Sequence, residues 1–122
     1  MNMLLAIAAA GEAATGLFLL IYPQVIVRLL FGADLSGAGT VVSRIAGISL
    51  IALGVACRPG NASSQALGGM LTYSVIAALY LAFLGINGNW VGSLLWPAVM
   101  VHAILTILLA RAWYKDERTR QK

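Results

Sequence analysis

Glu12, Arg44 and His102 are ionisable side chains that stand inside the apolar stretches of this sequence. Charged groups are costly in hydrocarbon, so each is by default a candidate functional residue. A carboxyl group in low dielectric can load and unload a proton near neutral pH. Counting helical rise places the three in height. Glu12 precedes Tyr22 by ten residues and lies ~15 Å from that boundary. His102 follows Val91 by eleven residues, at ~16 Å. Ser49, Tyr73 and Ser74 fall within a turn of the same level. Arg44 is shallower, ~6 Å deep. Its long side chain can snorkel outward or reach inward toward Glu12. The expected site is therefore one polar layer near mid-depth: Glu12, His102, Arg44, Ser49, Tyr73 and Ser74.

Two chemistries fit that layer. One is a proton-linked or cation-binding site built on Glu12. The other is structural: Glu12 pairs with Arg44 or His102, or is protonated, and fixes helix register. The structural reading weighs more, because one acid without a further motif says little. A lone interior histidine usually donates to a hydroxyl or carbonyl, and it cannot hold a metal or haem unaided. Cys57 is the only cysteine, so neither a disulfide within the chain nor a cysteine cluster is available. No metal site and no cofactor is expected. Gly-rich phosphate loops, Ser-His-Asp sets, HExxH and paired carboxylates are absent from the sequence, which leaves soluble-type catalysis without a foothold.

The elements that position these residues follow from composition. Of 122 residues, 61% are hydrophobic and 10% charged, with a mean hydropathy of +0.90. A soluble domain carries about a quarter charged residues. These values argue against a soluble fold and against a disordered chain, and leave an integral membrane protein of one domain. A spanning helix needs ~20 apolar residues. Four windows fit: about 3–22, 40–57, 66–86 and 91–114, with a basic tail at 115–122. Pro23 ends the first and Arg58-Pro59-Gly60 the second. Only Asn87-Gly88-Asn89 separates the last two, which predicts a tight antiparallel hairpin. Gln24–Phe31 is too short to span and reads as an interfacial helix between spans 1 and 2. Gly32 would end it, and Asp34 or Ser36 would cap the second span. Pro97 would kink the fourth span. Tyr73 and Tyr80, seven apart, share a face of the third. Small residues (Gly16; Ser43, Gly47 and Gly54; Ala78 and Ala82) allow close helix approach in lipid. The expected fold is an all-α, integral membrane four-helix bundle.

Charge sets the orientation. Arg111, Lys115, Arg118, Arg120 and Lys122 are five of the eight Lys/Arg residues, against four Asp/Glu in all. They follow an apolar segment, so they read as a cytoplasmic topology anchor and not as a nucleic-acid site. Attraction to anionic headgroups adds ~1 kcal/mol per cation. Both termini then face the cytoplasm of a bacterial inner membrane. Arg58 agrees and Arg28 does not. Tyr22, Trp90 and Trp96 mark one interface, and Trp113 and Tyr114 the other. Residues 1–10 lack a basic n-region, and the apolar run continues to Tyr22. The segment therefore reads as a retained span and not a cleaved signal.

Gly16, Tyr22-Pro23, Arg44-Ile45-Ala46-Gly47 and Leu53-Gly54 resemble a pattern in small four-helix bacterial inner-membrane proteins that are loosely DoxX-like. That resemblance covers about half the chain and implies four spans without a settled role. Size, four spans and a first-span glutamate also look like the small multidrug resistance transporters, which exchange protons for cationic drugs as dimers. That analogy makes Glu12 a shared proton and drug site. The long Pro23–Gly39 connection departs from it, as does Arg44.

Three functions follow as expectations. The foremost is a non-enzymatic accessory or assembly subunit that packs on a membrane partner, as a homo-oligomer or in a larger complex. The alternative is a proton-coupled small transporter or channel using Glu12. A redox or lipid-processing enzyme using His102 and the tyrosines ranks last.

Overall fold

A computed structural model describes residues 2–58 and 64–122. The Pro59-Gly60 stop expected after the second span lies outside them. The order is α1 (Asn2–Ile21), α2 (Pro23–Phe31), α3 (Ala38–Ala56), α4 (Ser64–Asn87) and α5 (Leu95–Arg120). Among the described residues there is no strand. All but α2 are long and apolar enough to cross a membrane.

Tyr22 and Pro23 divide the first two helices. The residue before a proline is disfavoured in the α region, and Tyr22 leaves it at φ −125°, ψ 59°. Proline itself suits the first helical position, since no intrahelical acceptor awaits its missing N–H. Pro23 and Val27 are buried, whereas Gln24, Val25 and Arg28 are exposed. Gly32 closes α2 at φ 65°, donating its N–H to the Arg28 carbonyl, as expected of a left-handed glycine stop.

The expected caps on α3 are not formed. Its N-cap is Gly37, with no side-chain hydrogen bond. Asp34 is too far upstream to reach the first free amides of a helix beginning at Ala38. It instead forms an ion pair with Arg28.

The helices associate as two intimate pairs, α1 with α3 and α4 with α5, which meet along a narrower seam. Glycine explains the first pair. A Cβ on Gly16 would fall 2.5 Å from the Gly47 carbonyl oxygen. One on Gly47 would fall 2.6 Å from that of Gly16, and one on Gly54 2.7 Å from that of Ala9. The pairings Gly16–Gly47 and Ala9–Gly54 run antiparallel. This is backbone-on-backbone contact, the usual way helices associate where lipid is as apolar as leucine. The seam is filled by Leu5, Ala8, Ala9, Leu67, Met70 and Leu109, with Cys57 beside them. These lie toward the start of α1 and α4 and the end of α3, so this cluster occupies one end of the bundle, while Val27 and Leu95 are buried toward the other.

The other end is closed by a contact that local sequence does not announce. The connection between α4 and α5 is seven residues long, Gly88–Leu94, and not a three-residue turn. Its Gly92 N–H donates to the Leu30 carbonyl at 2.9 Å, and its Leu94 N–H to the Leu29 carbonyl at 2.8 Å. Those amides satisfy the C-terminal carbonyls of α2, which an ending helix leaves open. The bonds hold residues 91–94 out of the helix, so α5 begins at Leu95. Pro97 then falls in the first turn, where it takes no hydrogen bond away. The expected kink is therefore not produced.

Gly92 is the required residue at that clamp. A Cβ there would meet the Leu29 carbonyl oxygen and lie 2.7 Å from the Leu30 carbonyl carbon. Backbone cannot rotate aside. Gly92→Ala should cost about 1–3 kcal/mol by overpacking. Hydrogen exchange should quicken at the Leu94 amide while α1 stays protected. Gly69→Ala, with nothing within 4 Å of the added carbon, is the matched control and should lose no stability.

Candidate functional site

Glu12 sits in the middle of α1 on the face that turns toward α5. It is 6% exposed. Its Oε1 lies 3.5 Å from His102 Nε2. The two elements run antiparallel, so equal counts from opposite ends bring the two residues to one level. His102 is anchored from its other side. Nδ1 lies 2.8 Å from the Ala98 carbonyl, one turn earlier in α5. A turn later, Thr106 donates to the His102 carbonyl at 2.7 Å.

The Ala98 contact accounts for one ring nitrogen. A carbonyl oxygen only accepts, so Nδ1 must carry a hydrogen. Nε2 and Oε1 then face each other, and a proton shared between them has two places to rest. Either it rests on Nε2 and the pair is imidazolium with carboxylate, or it rests on the carboxyl group and both partners are neutral. In both arrangements the pair has no net charge, the form in which a buried couple is least costly. The 3.5 Å separation is an ion-pair distance. Nε2 makes no tighter hydrogen bond and is sealed from solvent.

Tyr73 is the third member. Its ring meets the imidazole edge-on, with centroids 5.9 Å apart and planes at 64°. Its hydroxyl is close enough to Glu12 to interact with the carboxylate. Its neighbour Ser74 is fully buried, and Ser74 Oγ has no hydrogen-bond partner. α4 thus contributes a ring that packs edge-on against the imidazole.

The remaining expected members are elsewhere. Arg44 is exposed on α3 and does not reach Glu12. Ser49 is exposed too, with its hydroxyl donating to the Ile45 carbonyl at 3.0 Å. The reason is azimuth. Gly47 must face α1, and Ser49 lies ~200° round the helix from it. Tyr80 is also turned out, 60% exposed and stacked on Phe83. The observed cluster is Glu12, His102 and Tyr73.

Ala98 is the component that residue types could not reveal, since it acts through its carbonyl. The available signal was its spacing of four from His102. Among the described residues, no three of His, Cys, Asp and Glu converge. The arrangement can hold and hand over one proton, and it can tie α1 to α5. No family model, no curated protein and no solved structure matches the chain. The functional reading therefore rests on this geometry.

Proposed function

We propose that this chain is a polytopic protein of a bacterial inner membrane that acts by packing on a membrane partner, as a non-enzymatic accessory or assembly subunit. The observation that carries the reading is the closure of Glu12 on His102. The acid within the spans is already partnered inside the bundle by the His102 imidazole. Its role is then to fix the register of α1 against α5. The outward faces are left to lipid and protein. They carry exposed Leu17, Phe18, Val42, Ile45, Leu79 and Phe83 beside small residues that permit close approach.

In this reading α2 lies along the interface opposite both termini. The cations at the end of α5, with Arg58, face the cytoplasm. Arg28, the cation on the far side, is offset by Asp34.

The test is purification from the native host in mild detergent. A stoichiometric membrane protein that co-migrates with this chain, and is lost from its own complex when this chain is deleted, is the expected result. A chain that migrates alone, with every other membrane complex intact after deletion, removes the reading.

One observation favours a second reading, a proton-coupled transporter or channel. Glu12 and His102 face each other at 3.5 Å, and such a pair can take up and release a proton, as a carrier site must. That reading expects proton or cation flux in reconstituted vesicles that Glu12→Gln abolishes. Absence of flux from the unaltered protein would dismiss it.

A further inference from the structure

We propose that the exposed face at the end of α5 is a binding site for anionic phospholipid headgroups of the adjacent leaflet. The site stands apart from Glu12 and His102, and it does not depend on the packing role.

The first observation is register. Arg111, Lys115 and Arg118 follow at i, i+4 and i+7, which places them within ~60° of one another round the helix. All three are exposed. Gln121 keeps helical dihedrals, and its N–H bonds to the Glu117 carbonyl at 3.3 Å. That carries Lys122 round to the same side. Lys115, Arg118, Thr119, Gln121 and Lys122 surround an open recess there.

The second observation is segregation of charge. Asp116 and Glu117 are only partly exposed and lie off this face. Asp116 is engaged with Arg120, 3.5 Å away on the far side of the helix. The fifth cation is thus partnered, and the other four stand in a row without an acid among them.

The third is continuity. Above Arg111 the same row of α5 reads Met100, Ile104, Ile107 and Leu108, all exposed apolar side chains. Trp113 and Tyr114, also exposed, mark the change from apolar to basic. The Arg118 guanidinium lies over the Tyr114 ring, 5.1 Å from its centroid, which steadies it beside the interface.

A phospholipid is the occupant that meets both halves of this row. Its acyl chains lie along Met100, Ile104 and Leu108, and its phosphate comes to Arg111 and Lys115. A soluble anion meets only the basic half.

The probe is spin-labelled phosphatidylglycerol against spin-labelled phosphatidylcholine, with the full-length protein in phosphatidylcholine vesicles. The unaltered protein should prefer the anionic lipid about tenfold or more, since each cation near an anionic headgroup contributes about five-fold. Lys115→Gln/Arg118→Gln/Lys122→Gln, which leaves Arg111 in the row, should bring the ratio down to about five or below. Arg120→Gln, which removes the same kind of charge off the row, should leave it unchanged. If the triple variant loses helicity, Lys115→Gln alone carries the test through an about five-fold drop. Three results overturn the proposal: no preference in the unaltered protein, an equal loss with Arg120→Gln, or displacement of the labelled lipid by inorganic phosphate at matched concentration.

Discussion

Gly47→Val should separate α1 from α3 and cost about 3 kcal/mol, the upper part of the range for overpacked interiors. The size of the effect follows from what the added atoms would strike. A Cβ on Gly47 meets the Gly16 carbonyl oxygen at 2.6 Å and the Leu20 amide nitrogen at 2.9 Å. Neither is the end of a side chain, so no rotamer change relieves the contact. The helices must part, and along their shared length they lose dispersion contacts that lipid only partly replaces. Gly16→Val should behave alike, since its added Cβ would strike the Gly47 oxygen and the Ile51 nitrogen. The double variant should cost clearly less than the sum, because one substitution already opens the gap the other needs. Unfolding in detergent at graded denaturant, with Gly69→Val as the control facing open space, reads all four. Equal losses at Gly47 and Gly69 would mean that the cost comes from a valine side chain anywhere on these helices and not from close approach. A second consequence reaches the site. α1 carries Glu12, so moving α1 outward should also loosen its hold on His102.

How much of this was legible in the sequence depends on which contacts are local. Height was legible. Helical rise is fixed, so counting from Tyr22 and from Val91 put Glu12 and His102 at one level, and the side chains do meet. The α2 stop at Gly32 was legible too, because a left-handed glycine is a local signal. Azimuth was harder. Ser49 shares the level of the site but points away, and only the requirement that Gly47 and Gly54 face α1 reveals it. Asp34 illustrates competition: a good capping residue was captured by Arg28, six residues back. The start of α5 could not be read locally at all. Nothing between Val91 and Leu94 forbids a helix. What holds that segment out of the helix is a pair of carbonyls on α2, about sixty residues earlier in the chain.

The second large effect separates the two functional readings. Glu12→Leu should destabilise the bundle by about 3–5 kcal/mol, and so should His102→Leu. Removing one partner of a buried pair strands the other without compensation. The Glu12→Leu/His102→Leu variant should recover most of that loss or exceed the unaltered protein, since well-packed apolar residues often serve as well as a buried pair. Such recovery identifies the pair as coupled and not as two independent packing groups. Glu12→Gln is the mild case. Its amide N–H can donate to Nε2 while Nδ1 keeps its hydrogen on the Ala98 carbonyl, and the loss should be about 1 kcal/mol. Each reading then assigns the rescued double variant a different behaviour. If the pair fixes helix register, a bundle restored with leucines packs as before and captures its partner undiminished. If the pair carries a proton across the bilayer, the same restored bundle is stable and inert, since leucine holds no proton. Stability alone cannot distinguish the two. Stability together with partner capture and proton flux, measured on one folded variant, can, because the substitution removes the proton site while leaving the architecture in place.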